Sequence, residues 1–276
     1  MSTAASANPT SATAELNRWI RFTPAQRLAR FAVFLVIAAA IAWALKTIEI
    51  IPEFLYDAPE QVVDMGKRMW PIDWAHFWPV VWPALVETMH IAAMATLLGL
   101  MMGIPVGFLA AKNATPFLWV NLIAKFILVA TRSISTLIWA LFFVAMFGPG
   151  PLAGALAIAF HSIGFIGKMF SEGVEEANRG SIEALQAVGA TRMQLILMGY
   201  WPMVLPTFWS VALFRWDINV RESVVLGLVG AGGIGMALNA AIDLIQWDRV
   251  SLVLFTIFIV VILIETIVTQ IRKRVI

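Results

Sequence analysis

Apolar runs of about 20 residues recur along this chain: 31–51, 87–111, 152–171, a fourth starting near Pro202, and 250–270. At about 1.5 Å of rise per residue, each run in helical form crosses a hydrocarbon core of about 30 Å. A soluble fold has no room for so many. Of the 276 residues 61% are hydrophobic and 13% charged, with mean hydropathy +0.85; soluble domains carry about 25% charged residues. The expected fold is therefore an all-α polytopic membrane protein. Cysteine is absent, which excludes disulfides, thiolate metal sites and a Cys nucleophile. His76, His90 and His161 are far apart, so no metal site is expected. The net charge of +2 reflects Lys and Arg beside the apolar runs and implies no nucleic-acid partner.

Residues 1–17, rich in Ser, Thr, Ala, Asn and Pro, read as a disordered tail rather than a signal peptide. Arg18, Arg21, Arg27 and Arg30 precede the first span, 31–51, where Lys46 is expected to snorkel. The connection 52–86 is acidic and carries Trp70, Trp74, Trp78 and Trp82. These fit an interfacial aromatic belt or, alternatively, a docking surface for an external partner. Pro71, Pro79 and Pro83 rule out one undisturbed helix there. In the span 87–111, Gly99, Gly103 and Gly107 form a ridge that another helix can approach closely, and Pro105 is expected to kink it. A single helix over 117–147 would be about 46 Å long, too long for the bilayer. A break is expected near Thr131-Arg132-Ser133, with 117–131 partly interfacial and 134–147 spanning. Gly148-Pro149-Gly150-Pro151 is a turn. Six spans result. Basic residues before the first and after the last (Arg272, Lys273, Arg274) place both termini in the cytoplasm, together with the polar segment of about 172–201.

That polar segment opens as a short amphipathic helix, with Glu183 near its start complementing the helix dipole. Ala184 permits close approach, and Gly189, followed by Ala190 and Arg192, permits a turn that a side chain would obstruct. The chain then returns to the membrane at Pro202 and Pro206. The order Glu-Ala, three residues, Gly, about ten residues, Pro resembles the cytoplasmic coupling loop of ABC-importer permeases. Further along come Arg132-Ser133-Ile134, Gly148 to Gly154, His161-Ser162-Ile163-Gly164, Lys168 to Glu172, Leu213 to Arg221, and Leu226 to Gly235. In combination, over about 87–276, these resemble the permease subunit of phosphonate-type ABC importers. The sequence departs from that pattern at Leu185, Trp201 and Asp217, where Ala, Leu and Glu are usual. The resemblance implies a type I importer fold and a homodimer in the bacterial inner membrane. Two copies of a separate ATPase would carry ATP and Mg, and a periplasmic binding protein would deliver phosphonate. This chain itself would hold no cofactor and catalyse nothing. Glu183, Ala184, Gly189, Ala190 and Arg192 would form the ATPase-coupling element. Phosphite, hypophosphite or a phosphate ester is the alternative substrate.

Two further groups stand out. Arg215, Asp217, Asn219, Arg221 and Glu222 lie within a span, where ionisable groups face a cavity or a partner. They read either as a structural network, pairing Arg215 with Asp217 or Arg221 with Glu222, or as a lining for an anion path, with His161 as a further polar candidate. Gly227, Gly230, Gly232, Gly233 and Gly235 match a dinucleotide fingerprint by letter, but no strand-helix unit surrounds them. Close helix packing or a loosened backbone beside the pore is the better reading. Two rival classes have less support. An ion-coupled secondary transporter would show inverted repeats, and none is visible. A membrane enzyme would need a clustered catalytic set, and Asp217 with distant His161 is thin support.

Overall fold

A computed structural model describes residues 24–47, 52–115 and 117–275, which form helices and their connections. The expectation for the tail 1–17, and for Arg18 and Arg21, lies outside the described residues. The chain divides into two compact units, Met1–Val62 and Val63–Ile276.

In the first unit, α1 (Pro24–Thr47) is long and apolar enough to span, with Lys46 in its last turn. It takes Arg27 and Arg30 into its first turns. The helix α2 (Pro52–Arg68) carries the chain into the second unit. There the Asp64–Arg68 ion pair, 2.7 Å and one turn apart, braces its end.

The second unit begins its membrane helices earlier than the hydropathy suggests. A tight turn (Trp74–His76) and a wide π-type turn (Phe77–Val81) run without a break into α3 (Trp82–Ala110). Together they make a helix of 37 residues, Trp74–Ala110, on the order of 55 Å. The start expected at 87 is thus corrected. Pro83 sits at the second position of α3, where its missing N–H costs no helical bond, and Pro79 falls in the wide turn. Trp74, Trp78 and Trp82 are exposed along this extension.

The break expected near 131–133 falls between α4 (Leu118–Ser133) and α5 (Thr136–Phe147), which meet at 89°. Side chains satisfy the carbonyls that the break frees. Trp139 Nε1 donates to the Thr131 carbonyl at 3.4 Å, and His161 Nδ1 lies 3.1 Å from the Ile134 carbonyl. Irregular backbone at membrane depth persists where protein groups replace the missing helical bonds. With 12 residues, α5 is only about 18 Å long and cannot cross alone. Together, as a pair bent at the break, α4 and α5 are long and apolar enough to count as a sixth candidate span beside the five long helices.

The centre of the unit is α6 (Pro151–Glu175), built largely from Ala, Gly and Ser on its buried faces. The glycine ridge of α3 meets it. A Cβ added at Gly107 would lie 2.8 Å from the Gly167 carbonyl oxygen, and one at Gly99 2.8 Å from Ser162 Cβ. Such contacts let backbones approach and gain dispersion where lipid offers no hydrophobic drive. Beyond α6 come α7 (Arg179–Ala187), α8 (Arg192–Gln194), a wide turn (Leu195–Tyr200), α9 (Trp201–Gly227), α10 (Ile234–Asp243) and α11 (Trp247–Val275). The chain is helical without interruption from Arg192 to Gly227. The helix expected to start near Pro202 therefore starts ten residues earlier, at Arg192. Pro202 occupies the second position of α9, and Pro206 lies within it without ending it.

Candidate functional site

The coupling segment has a rigid body and an open face. Asn178 caps α7 by accepting a hydrogen bond from the Gly180 amide at 2.9 Å. Glu183 sits in the second turn, not the first, so the expected dipole role falls to the Asn178 cap instead. Ile182 is the buried anchor of α7. It packs with Phe170, Val174, Tyr200 and Val204, against Gly199, where an added Cβ would lie 2.7 Å from Ile182 Cδ1. Glu183, Ala184, Ala187, Val188 and Met193 point outward, while Ala190 is half-buried. Gly189 is exposed at φ +79°, with nothing within 4 Å of an added Cβ. The turn needs glycine for its left-handed backbone, not for space, which corrects the expected reason. Thr191 and Gln194 form a capping box after the turn, and Arg192, exposed, begins the next helix. The five coupling candidates thus lie along one stretch of surface.

The polar candidates of α9 form a sealed cluster. Arg215, Asp217 and Asn219 are 3%, 5% and 0% exposed. Arg215 donates from Nε to Ser162 Oγ at 2.9 Å and from one terminal nitrogen to both oxygens of Glu222 at 3.2 Å. Thr136 on α5 donates to the same carboxylate at 3.1 Å, and Phe165 lies under the guanidinium at 5.5 Å. Asn219 donates to Thr96 on α3 at 2.8 Å and faces Ser162 Oγ at 3.3 Å. Arg221 pairs with Asp217 one turn away. Both pairings considered from the sequence are therefore replaced. Residues one or two apart point to different helix faces, whereas those four and seven apart share one. Arg215, Asp217 and Asn219 are closed off from any passing solute in this conformation, and among the α9 candidates Arg221 alone is substantially exposed, at 47% of its side chain. His161 is not hydrogen-bonded into this cluster; it serves the α4–α5 break.

The glycine-rich segment after α9 folds back on α9 itself. A Cβ at Gly235 would lie 2.0 Å from the Val224 carbonyl oxygen, and one at Gly227 2.5 Å from Gly235 Cα. Gly230, Gly232 and Gly233 have positive φ. The loop is pinned by Gly150 N donating to the Gly230 carbonyl at 2.9 Å and Ile234 N donating to Thr88 Oγ1 at 2.7 Å.

A bent helix pair, a short exposed helix between two long ones, and a polar cluster binding α3, α5, α6 and α9 together characterise the second unit. Residues 103–276 match the family described as binding-protein-dependent transport system inner membrane component. The chain belongs to that family. Among relatives of this inner-membrane component is the putative phosphite transport system permease protein HtxC of Stutzerimonas stutzeri. The two are 35% identical over 250 residues, covering 90% of this chain and 88% of HtxC. The putative cryptic phosphonate transport system permease protein PhnE2 of Escherichia coli is 37% identical over 119 residues, covering 43% of this chain and 98% of that protein. The inward-facing MetNI methionine ABC transporter has a permease chain that superposes with a TM-score of 0.65 at 24% identity, covering 74% of this chain and 100% of that one. That likeness shows the fold, a type I importer permease.

For this inner-membrane component, sequence reading missed Thr96, Ser162 and Thr136 as partners in the cluster. Each is a hydroxyl within an apolar helix and bonds a ladder carbonyl or a charged group. The available signal was their position, since a hydroxyl deep in a span marks a helix contact.

Proposed function

We propose that the chain is the transmembrane subunit of an ATP-driven importer of phosphonate, working as a homodimer. Two ATPase subunits would carry ATP and Mg, and an external binding protein would deliver the solute. The basic flanks, Arg18–Arg30 and Arg272–Arg274, support a cytoplasmic side for both termini. What carries the reading is α7. It is fixed to the transmembrane core through Ile182 yet exposes Glu183, Ala184 and the Gly189 turn. A partner gripping that face would act on the wide turn that leads into α9, because Ile182 sits against Gly199 and shares one buried cluster with Val174 of α6 and Val204 of α9. The sealed Arg215–Glu222 cluster would keep the four elements it bonds moving as one body, and Arg221 is the cation available to an anion. Phosphite is the second reading, favoured by the 35% identity to HtxC.

The test is substrate-stimulated ATP hydrolysis by the complete importer in liposomes. Phosphonate, phosphite and phosphate would be compared, each with the binding protein loaded. Stimulation by phosphonate at the lowest concentration supports the first reading, and by phosphite the second. Stimulation by none of the three, with an amino acid or sugar active instead, would discard the phosphorus oxyanion class.

A further inference from the structure

A cavity of about 240 Å³ lies where the end of α3 meets α4 and α6. Its charged lining is Lys112, Lys125, Arg132 and Lys168 against Glu175. Lys125 and Arg132 lie two turns apart on one face of α4, and Lys168 and Glu175 repeat that spacing on α6. Lys168 is matched by Glu172 at 2.7 Å. Glu175 accepts from the backbone amide of Lys112 at 2.9 Å. Among the described residues, Lys112, Lys125 and Arg132 form no ion pair. Four cations thus line one cavity, against Glu175 as its one lining carboxylate.

We infer that this cavity binds a phosphate-bearing anion. Cations gathered around one cavity repel one another, so an anion between them is favoured. Arg132 offers a planar fork suited to two phosphate oxygens, and the lysines supply point charges. At about 30 Å³ per water, the volume admits a phosphate group with a few waters. Two sources fit. One is a lipid phosphodiester, since basic pockets between transmembrane helices hold anionic head groups; Phe126 and Val129 on α4 are exposed for acyl chains to follow. The other is free inorganic phosphate.

The loop beside the cavity is also bonded to the start of the long helix that follows the coupling segment. Asn113, next to Lys112, donates to the Val174 carbonyl at 2.7 Å and accepts from Tyr200 at 3.2 Å. An occupant would thus sit against the turn that joins α6 to the start of the long α9 rod. The inference is independent of what the importer carries, because it rests on this cavity alone.

The experiment uses the full chain in nanodiscs. Native mass spectrometry measures retention of phosphatidylglycerol against phosphatidylcholine, and equilibrium dialysis in phosphatidylcholine discs measures labelled orthophosphate. The variants are Lys125→Gln/Arg132→Gln, the conservative Arg132→Lys, and Lys67→Gln/Arg68→Gln as a charge control. Loss of phosphatidylglycerol retention by about tenfold in the first variant, with the control unchanged, assigns the site to lipid. An equal loss of orthophosphate binding assigns it to the free anion. Wild-type protein that prefers neither probe, or a double variant that binds both like wild type, overturns the inference. Should the double variant not purify as a single species, the half-buried Lys125→Gln and the exposed Lys112→Gln decide by the same comparison.

Discussion

Replacing Arg215 by Met should destabilise the folded permease by about 3 kcal/mol, and replacing Glu222 by Met as well should return most of that. Arg215 is almost fully buried, and Glu222 keeps 23% exposure of its side chain. Removing one partner of a buried pair costs about 3–5 kcal/mol, mainly because the remaining charge is stranded. The lower end applies because Glu222 retains Thr136 and some access to solvent. Removing both charges leaves Ser162 short of a donor and Thr136 short of an acceptor, at about 0.5 kcal/mol each, or about 1 kcal/mol together. Glu222→Met thus restores about 2 kcal/mol in the Arg215→Met background, whereas alone it strands the buried Arg215 and costs about 3 kcal/mol, so the coupling energy between the two sites is about 5 kcal/mol. Arg215→Lys should fall between, because a single ammonium cannot reproduce the fork that reaches Ser162 and Glu222 together. Unfolding in mixed micelles, followed by tryptophan fluorescence, gives the four corners of the cycle. Additive effects within about 0.5 kcal/mol, or an Arg215→Met variant as stable as wild type, would refute the clamp.

Gly189→Ala should strain the turn by roughly 1–2 kcal/mol and lower substrate-stimulated ATP hydrolysis, while Gly189→Asn, which tolerates a left-handed backbone, should retain most of it; equal activities would show that backbone conformation there is immaterial. Gly235→Ala should sharply reduce the yield of folded protein, because its Cβ would meet the Val224 oxygen at 2.0 Å. Gly66→Ala, in open space within α2, should be neutral or stabilising by about 0.5–1 kcal/mol; membrane-extracted, monodisperse protein measured for both tests the contrast. A reporter active only in the cytoplasm should be active when fused after Ala190 and silent after Asp64, and the reverse pattern would invert the proposed orientation.

Much of the fold is written in local pattern. The apolar runs mark the spans, the four-residue spacing of Gly99, Gly103 and Gly107 marks a contact that α6 fills, and excess length marks the break that the structure puts after Ser133. Where the reading failed, the deciding physics lay outside the pattern. Helix does not begin where the uniformly apolar run does, so Trp74–Val81 and Arg192–Tyr200 extend two spans at their N-terminal ends. Ion pairs follow helix faces and not chain proximity, so Arg215 found Glu222 and Arg221 found Asp217. Ser162 and Thr96 acquire their roles only through packing from distant segments, since each is an ordinary small residue until Arg215 or Asn219 is placed against it. Gly189 was legible as a turn, but its φ, and hence the reason for glycine, was not.

The central claim is that an ATPase drives this permease through the exposed face of α7. It is tested most directly by uptake of labelled phosphonate into liposomes holding the permease, its ATPase and the binding protein, with Ala184→Arg compared with wild type. Ala184 is exposed, so the substitution leaves the transmembrane core intact while blocking the docking face. The account predicts ATP-dependent uptake by wild type and loss of uptake in Ala184→Arg, with both proteins equally folded. Uptake that continues without ATP or the ATPase, or that survives Ala184→Arg undiminished, would contradict it.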